Sequence, residues 1–287
     1  MHYGRERIVL VTGASRGAGR GISIALGATG ATVYLTGRPE ADSNSNLSGT
    51  LSETAQLVTN AGGEGIALYC DHSSDEQTQS ALSEIQKEHG RLDILVNNAT
   101  DIDDAITDSG PFWEKPISLC NLLDVGLRSH YLTTWHAAPL LITDGGGLVV
   151  NTSSFGGRIY MHGPAYGAGK AGVDKMAHDM AVDFKPFEVT VISLWMGLLL
   201  TERTKRVLEN DQDSYQNLLD SAETPEFTGR IINALADDKD LHKLSGKVLI
   251  GAELARQYSI VDINGRIPPS HRAIFGNPTE FGDTIVQ

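Results

Sequence analysis

Two residues near the middle of the chain could form an acid–base pair. In the stretch PAYGAGKAGVDKMAHDM (164–180), Tyr166 precedes Lys170 by four positions. Residues four apart on a helix share a face, so both side chains point the same way. An ammonium ~4 Å from a phenol favours the phenolate by up to about 4 kcal/mol and lowers a pKa of ~10 by up to roughly 3 units. The spacing therefore predicts a phenol that transfers protons near neutral pH. Taken alone, the pair also fits an ordinary helix start.

A glycine-rich loop lies near the start of the chain. LVTGASRGAGRGISIAL (10–26) fits the pattern TGxxxGxG, with Gly13, Gly17 and Gly19 between a predicted strand and a predicted helix. The stricter GxGxxG pattern fails, because Ile22 stands where its third glycine would be. Glycines there let backbone N–H groups approach a pyrophosphate at the positive end of a helix. The loop predicts a dinucleotide site, and the alternative is a glycine-rich turn without a ligand. Its other members are Ser15, Arg16 and Ala18.

The end of the second predicted strand, YLTGRPE, bears on which dinucleotide is bound. An NAD site places an acidic residue there to bind the ribose 2′-hydroxyl, but this chain has Gly37 and Arg38. An arginine can make a charge-assisted bond to a 2′-phosphate, and Arg16 is a second cation placed to help. NADP(H) is therefore favoured as the cofactor, and NAD(H) stays possible if both arginines are only solvated surface residues.

Strand-like segments alternate with helical patterns through most of the chain. Such Val-, Ile- and Leu-rich strands are typical of a parallel sheet covered on both faces. The predicted strands are 7–13, 31–37, 65–71, 92–99, 147–154, 189–195 and 246–254. The predicted helices are 17–29, 50–62, 75–89, 114–142 and 166–184, with several short ones within 202–238. Right-handed crossovers then predict an α/β fold, a doubly wound, seven-stranded, three-layer Rossmann-type sheet.

The length of 287 residues suits a single three-layer domain. We expect residues 1–265 to form one dinucleotide-binding and catalytic domain. The segment 200–240 follows the sixth strand, beside the crevice where ligands bind, and is predicted to form a substrate lid. Residues 266–287 show no clear period and are predicted to form an irregular tail.

Composition limits the possible partners. The 36 acidic and 23 basic residues give a net charge of -13, which repels phosphate backbones, so nucleic acid is not expected. Two cysteines, Cys70 and Cys120, make neither a disulfide framework nor a zinc pair. The N-terminus MHYGRERIVLVTG has no apolar stretch of the kind a signal peptide needs, the longest nearly apolar run, 189–200, is too short for a membrane span, and no metal site is expected. A reduced, cytoplasmic protein is expected.

Four motifs, taken together, identify a family. TGASRGAG (12–19), NNA (97–99), NTSS (151–154) and YGAGK (166–170), in this order and spacing, resemble the short-chain dehydrogenase/reductase family. The resemblance covers residues 5–255. It implies that Tyr166 is the proton donor or acceptor and that Lys170 binds the nicotinamide ribose and lowers the phenol pKa. The family serine that holds the substrate oxygen aligns with Ser154, with Ser153 as the alternative.

The resemblance also implies further cofactor contacts. Asp71 matches the acid that binds the adenine amino group, Asn98 the asparagine beside the adenosine ribose, and Thr201 the threonine at the nicotinamide carboxamide. Members of the family assemble as dimers or tetramers through two long helices, here 114–142 and 166–184. A homodimer or homotetramer is expected.

Three positions depart from the family pattern. Thr100 replaces the glycine of NNAG, which could shift the loop, and Met196 replaces the proline of PG, which leaves the backbone less fixed. The asparagine that relays protons to the lysine aligns with Asp124. An aspartate can still bind water, but its charge would pull Lys170 toward the ammonium form. The proton relay is therefore predicted to run through Asp124 or to be lost.

The predicted reaction is hydride transfer between NADP(H) and a ketone, an aldehyde or the corresponding alcohol, with Tyr166 as general acid or base. The substrate would be a small carbonyl or alcohol compound. Because three family positions are changed, the alternative is a cofactor-binding redox sensor that no longer catalyses.

Overall fold

A seven-stranded parallel sheet forms the centre of the protein. The computed structural model describes residues 5–39, 47–210, 219 and 221–286. The strands are β1 (Ile8–Thr12), β2 (Thr32–Gly37), β3 (Glu64–Tyr69), β4 (Ile94–Asn97), β5 (Leu148–Ser153), β6 (Thr190–Trp195) and β7 (Val248–Ile250). Their order is β3-β2-β1-β4-β5-β6-β7, which confirms the predicted doubly wound sheet. The order reverses between β1 and β4, so a crevice opens at the carboxyl ends of these two strands.

Helices cover both faces of the sheet. They are α1 (Gly17–Gly27), α2 (Leu51–Asn60), α3 (Asp75–His89), α4 (Asn121–Leu123), α5 (Ser129–Leu141), α6 (Pro164–Phe184), α7 (Glu202–Asn210), α8 (Pro225–Asp237), α9 (Gly251–Gln257) and α10 (Arg272–Phe275). Two of these helices begin where a side chain next to the first turn caps the free backbone N–H groups. Thr50 and Glu53 form a reciprocal capping box at α2, and Ser74 caps α3.

Alternate strand residues pack into two separate cores. Val9 and Val11 of β1 pack with α1, α2 and α8, whereas Ile8 and Leu10 pack with α3, α5 and α6. Because successive strand side chains point to opposite faces, two apolar faces require two helical layers. The three-layer prediction is therefore confirmed.

The predicted helix 114–142 is interrupted, and this prediction was wrong over its first half. Short 3₁₀ turns at Phe112–Glu114 and Ile117–Cys120 follow Pro111 and Pro116, which lack the N–H that a continuous helix needs. A π turn at Asp124–Arg128 then links α4 to α5. Such π turns are frequent at functional sites, and this one faces the crevice.

The end of the chain differs from the prediction in two places. The predicted strand 246–254 is only three residues long, and Gly251 begins α9 instead. Helix α8, in the predicted lid 200–240, belongs to the core, where Phe227 and Ile231 are buried. Residues 211–218 and 220 of that lid lie outside the described residues.

The predicted irregular tail contains α10 and packs on the domain. Arg272 binds both carboxylate oxygens of Glu253, and Phe275 lies 5.3 Å from Phe155, measured between ring centroids. Within the described part of the chain, no helix has both the length and the apolar character needed to cross a bilayer.

Candidate active site

The crevice at the carboxyl ends of the strands is a cleft of about 780 Å³. The loops after β1, β2, β3, β4 and β6 line it, together with α6 and the π turn. Most of the residues predicted to hold a cofactor lie on its wall. They are Gly13, Ser15, Arg16, Gly17, Ala18, Arg38, Asp71, Asn98, Tyr166, Lys170 and Thr201. The topology thus brings together residues that are far apart in sequence.

The glycine loop has the conformation that its sequence requires. Gly13 and Gly17 have φ values of 65° and 57°, which side chains rarely adopt. Gly19 does not line the cleft as a contact residue would. It is buried, and an added Cβ would lie 2.3 Å from the Gly13 carbonyl oxygen and 2.7 Å from Asn98 Nδ2. Gly19 therefore lets the glycine loop pack against Asn98, and its assignment as a cofactor contact stays a prediction.

A carboxylate already occupies part of the predicted phosphate cradle, which consists of the backbone N–H groups of the glycine loop 13–19. The Gly17 N–H donates to Glu202 Oε2 over 2.9 Å, and Glu202 also attracts Arg16. This contact shows that the start of α1 accepts an anionic oxygen, as expected at the positive end of a helix. A pyrophosphate would compete with Glu202 for this donor. The residues present therefore fit a dinucleotide pyrophosphate.

Both predicted 2′-phosphate arginines lie at the same end of the cleft. Burial lowers the pKa of Arg16, and the charge of Arg38 lowers it further, so the two guanidinium groups are close enough to repel. Arg38 also lies 3.6 Å from Asp101 in a partly exposed ion pair, which contributes little on its own. A negative group between the two arginines would relieve their repulsion.

Asp71 lies in this end of the cleft and is ionised. Burial opposes its charge, but Ser73 donates through both its N–H (2.9 Å) and its hydroxyl (2.8 Å) to Oδ1. With the nearby Arg38, these bonds hold the pKa of Asp71 below its ordinary value. The second carboxylate oxygen can then accept from a ligand amino group.

Asn98 has a structural task that its motif did not reveal. Its Nδ2 donates to the carbonyl oxygens of Thr12 (3.0 Å) and Gly13 (3.1 Å), while its N–H donates to Thr12 Oγ1. The NNA motif therefore joins the end of β4 to the glycine loop. Asn98 still lines the cleft, so this role adds to the predicted one.

The predicted acid–base residues converge at the other end of the cleft. Tyr166 Oη lies 2.9 Å from Ser154 Oγ, so the two hydroxyls can share one substrate oxygen. Ser153 points elsewhere: its Oγ lies 3.4 Å from the Lys170 carbonyl oxygen and also bonds Asp174. This geometry favours Ser154 over Ser153, the alternative left open by the sequence.

The phenol is not activated in the predicted way. Burial raises the pKa of Tyr166, although the Ser154 hydrogen bond partly offsets this. The expected net depression of this pKa is therefore not found, because burial outweighs it; Lys170 Nζ donates to the Thr152 carbonyl (3.0 Å) and lies 5.8 Å from the Tyr166 ring centroid. A phenol with a raised pKa stays protonated at neutral pH, which suits a proton donor.

Lys170 loses its proton more easily than an exposed lysine does. Burial lowers the pKa of Lys170 to about 8, and the charge of Asp174 opposes that shift. Asp124 stands on the π turn and lines the same cleft, and its part in a proton relay stays a prediction.

The other two departures from the family pattern are compensated locally. Thr100 packs against Gly126, where an added Cβ would lie 3.1 Å from Thr100 Oγ1, so a missing side chain on the π turn makes room for the extra one. After β6, Gly197 N–H donates to Glu223 Oε2 over 3.1 Å. The buried Glu223 side chain therefore gives the backbone after Met196 a hydrogen-bond partner, and the expectation of a less fixed backbone stays a prediction.

The sequence reasoning missed three acids that shape the site, namely Asp174, Glu202 and Glu223. Asp174 could have been found, since it lies four residues after Lys170 and so on the same helix face. Glu202 directly follows the predicted contact Thr201. Glu223 lies 26 residues after Gly197, so no local sequence pattern indicates that the two residues are in contact. Among the described residues no cluster of potential ligands could hold a metal ion.

The fold and this site define a class of enzyme. Residues 7–212 match the family described as short chain dehydrogenase, and the chain belongs to that family. Members of the family are oxidoreductases that transfer hydride with NAD(P)(H) on small molecules, and so is this protein. This confirms the predicted class.

Individual relatives narrow the comparison. The chain is 41% identical over 273 residues to dehydrogenase/reductase SDR family member 1 of Mus musculus, a match covering 91% of this chain and 85% of the relative. Identity to the Homo sapiens protein of the same name is 39% over 271 residues, covering 91% and 84%. The segments 125–131, 193–197 and 245–268 carry this narrower resemblance in the sequence. A crystal structure of a short-chain type dehydrogenase/reductase from Mycobacterium marinum aligns with a TM-score of 0.71 at 24% identity, over 85% of this chain and 93% of that one.

Proposed function

We propose that this protein reduces a carbonyl compound with NADPH, or oxidises the corresponding secondary alcohol with NADP⁺, and that Tyr166 transfers the proton. One observation carries the proposal. Two hydroxyls, Tyr166 Oη and Ser154 Oγ, lie 2.9 Å apart beside the glycine-lined cleft. Such a pair can hold one substrate oxygen between them and orient the carbonyl carbon.

Each residue has a separate task in this proposal. The bound nicotinamide supplies or accepts the hydride. In reduction, Tyr166 gives its proton to the substrate oxygen while Ser154 holds that oxygen by a hydrogen bond. The ammonium of Lys170 then stabilises the phenolate that remains. In oxidation the phenolate takes the proton back from the alcohol.

The proposed cofactor site runs the length of the cleft. The glycine loop would hold the pyrophosphate, and Asp71 would bind the adenine amino group. Arg16 and Arg38 would share the 2′-phosphate, and Thr201 would contact the carboxamide. Two observations support this assignment. The loop already binds the anionic side chain of Glu202, and Arg16 and Arg38 are close enough to repel each other.

If Arg38 sets the preference for NADP(H), replacing it should weaken the binding of NADPH but not that of NADH. Replacing Arg38 with leucine is expected to raise the dissociation constant of NADPH by about 10- to 100-fold, because a charge-assisted bond contributes ~1.5–3 kcal/mol. NADH lacks the 2′-phosphate and should lose little. Fluorescence titration with both cofactors measures this, with Arg256→Leu, an exposed arginine outside the cleft, as the matched control. Equal losses of affinity for NADPH and NADH would show that Arg38 does not determine the cofactor preference.

The role proposed for Asp124 is to hold a water near Lys170 rather than to set its charge. Asp124→Asn should keep turnover and the pH–rate profile close to those of the unchanged protein, because an amide also binds water. Asp124→Leu should lower turnover by about tenfold, since the proton path is interrupted. Steady-state kinetics between pH 6 and 10 separate the two. If the leucine variant matches the unchanged protein, Asp124 is a bystander.

The substrate cover and the assembly are also proposals. Arg203 and Arg206 of helix α7 both bind Asp104 in the loop after β4, so α7 is placed to cover a substrate.

Tyr131 and Trp135 are 52% and 62% exposed on α5, and these apolar rings support the proposal of a homodimer or homotetramer that assembles through α5 and α6. The single domain is proposed to end near residue 265.

Activity measurements test the function itself. NADPH consumption against ketones, aldehydes, steroids and quinones would identify the substrate class. NADPH that binds without being consumed over the whole panel would favour the redox-sensor alternative.

A further inference from the structure

Asp174 is a buried acid that the proposed reaction does not use directly. It lies on α6, four residues after Lys170 and eight after Tyr166, and only 1% of its surface is exposed. Isolated carboxylates are rarely buried, since the charge loses its hydration. Its presence behind the acid–base pair therefore needs a physical reason.

The carboxylate is held by hydrogen bonds from two strands. Ser193 Oγ donates to Oδ1 over 2.6 Å, and Trp195 Nε1 lies 3.1 Å from Oδ1 and 2.9 Å from Oδ2. The hydroxyl of Ser153 on β5 also bonds the carboxylate. Burial raises the pKa of Asp174 to about 6, while these hydrogen bonds oppose that shift and fix the position of the carboxylate. The carboxyl is therefore mostly ionised at neutral pH. Asp174 thus ties α6 to the ends of β5 and β6.

The charges around Lys170 leave Asp174 as its counter-ion. Burial lowers the pKa of His130 on α5 to about 3, and the charge of Lys170 adds to this shift, so His130 is neutral. Tyr166 is a neutral phenol, because burial raises its pKa, and Asp124 on the π turn lines the cleft. The charge of Asp174 raises the pKa of Lys170, and Lys170 in turn favours the ionised form of Asp174.

We propose that Asp174 is a positioning residue, the buried counter-ion that keeps Lys170 protonated at working pH. Its hydrogen bonds hold the negative charge behind Lys170, while Lys170 Nζ donates to the Thr152 carbonyl at the cleft. The consequence for turnover rests on the proposed function, because it requires that the Lys170 ammonium stabilise the Tyr166 phenolate. The charge on Lys170 can be measured without any activity.

The direct test is competitive labelling of Lys170 with a small acylating reagent between pH 6 and 11, read by mass spectrometry. Lys170 is partly exposed on the cleft, so the reagent can reach it. Asp174→Asn should lower the midpoint of Lys170 labelling by about one pH unit, a tenfold change in its acid dissociation constant. Asp179→Asn is the matched control, since Asp179 is an exposed acid on α6 paired with Lys175. It should leave the midpoint unchanged.

A second variant keeps the test decisive if Asp174→Asn does not fold. Ser193→Ala removes one bond that favours the ionised carboxylate, so it should move the Lys170 midpoint the same way by a smaller amount. A merely structural Asp174 would lower the melting temperature without moving the midpoint. An unmoved midpoint in the folded Asp174 variant, or in Ser193→Ala if that variant alone folds, overturns the inference.

Kinetics separate the two proposals. In an active enzyme, the alkaline limb of the pH–rate profile should shift to lower pH in Asp174→Asn, together with the labelling midpoint. If the midpoint shifts but the unchanged protein reduces no carbonyl, the inference stands and the proposed function fails. If the unchanged protein is active but the midpoint stays fixed, the function stands and the inference fails.

Discussion

Replacing Tyr166 with phenylalanine is expected to lower carbonyl reduction by about 10²- to 10⁴-fold, the usual contribution of a positioned general acid. The variant loses the proton that the substrate oxygen must gain, while the ring keeps its packing. Ser154 alone can still hold that oxygen, but it has no lysine behind it to stabilise the resulting anion. NADPH binding should change little, because the glycine loop and the arginines are untouched.

The measurement is turnover at saturating NADPH, together with a binding titration. Tyr160→Phe is the matched control, since Tyr160 is 80% exposed and should tolerate the change. Activity retained in Tyr166→Phe would remove Tyr166 from the reaction. Lost binding in that variant would point to a cofactor role instead of a proton-transfer role.

The second large effect is expected at Gly19. A Cβ at this position would lie 2.3 Å from the Gly13 carbonyl oxygen, and backbone cannot move aside as a flexible side chain can. Gly19→Ala should therefore displace the loop that forms the phosphate cradle. Overpacking typically costs ~1–3 kcal/mol, so we expect the NADPH dissociation constant to rise by about 5- to 150-fold.

A titration of NADPH against each variant, with a thermal unfolding curve, checks this effect. Gly282→Ala is the control, because an added Cβ there meets nothing within 4 Å. An unchanged NADPH affinity in Gly19→Ala would show that the cradle tolerates a shift, and the supporting role given to Gly19 would be wrong.

The parts of the fold with local patterns could be predicted from sequence. The strands carry Val, Ile and Leu because helices cover both sheet faces, and the glycine loop needs left-handed residues at Gly13 and Gly17. The spacing of Tyr166 and Lys170 follows from one helical turn. These features depend on neighbours in the sequence, so they can be read without knowing the rest of the molecule.

The parts that failed depend on contacts between distant segments. The π turn that carries Asp124 has no sequence pattern of its own, and Thr100 fits only because Gly126 faces it. The pKa of Tyr166 is set by burial, which no spacing predicts. The acid that we propose as the counter-ion of Lys170 is Asp174, and Ser193 and Trp195 on another element hold it in place.

The central claim is that hydride passes between a nicotinamide and a carbonyl carbon in this cleft. NADPH deuterated at the transferred position, incubated with the enzyme and a carbonyl substrate from the panel, tests it most directly. The account predicts an alcohol with one deuterium on the former carbonyl carbon, formed at a rate that falls by about 10²-fold or more in Tyr166→Phe. NADPH that binds tightly but yields no deuterated alcohol from any carbonyl would contradict it.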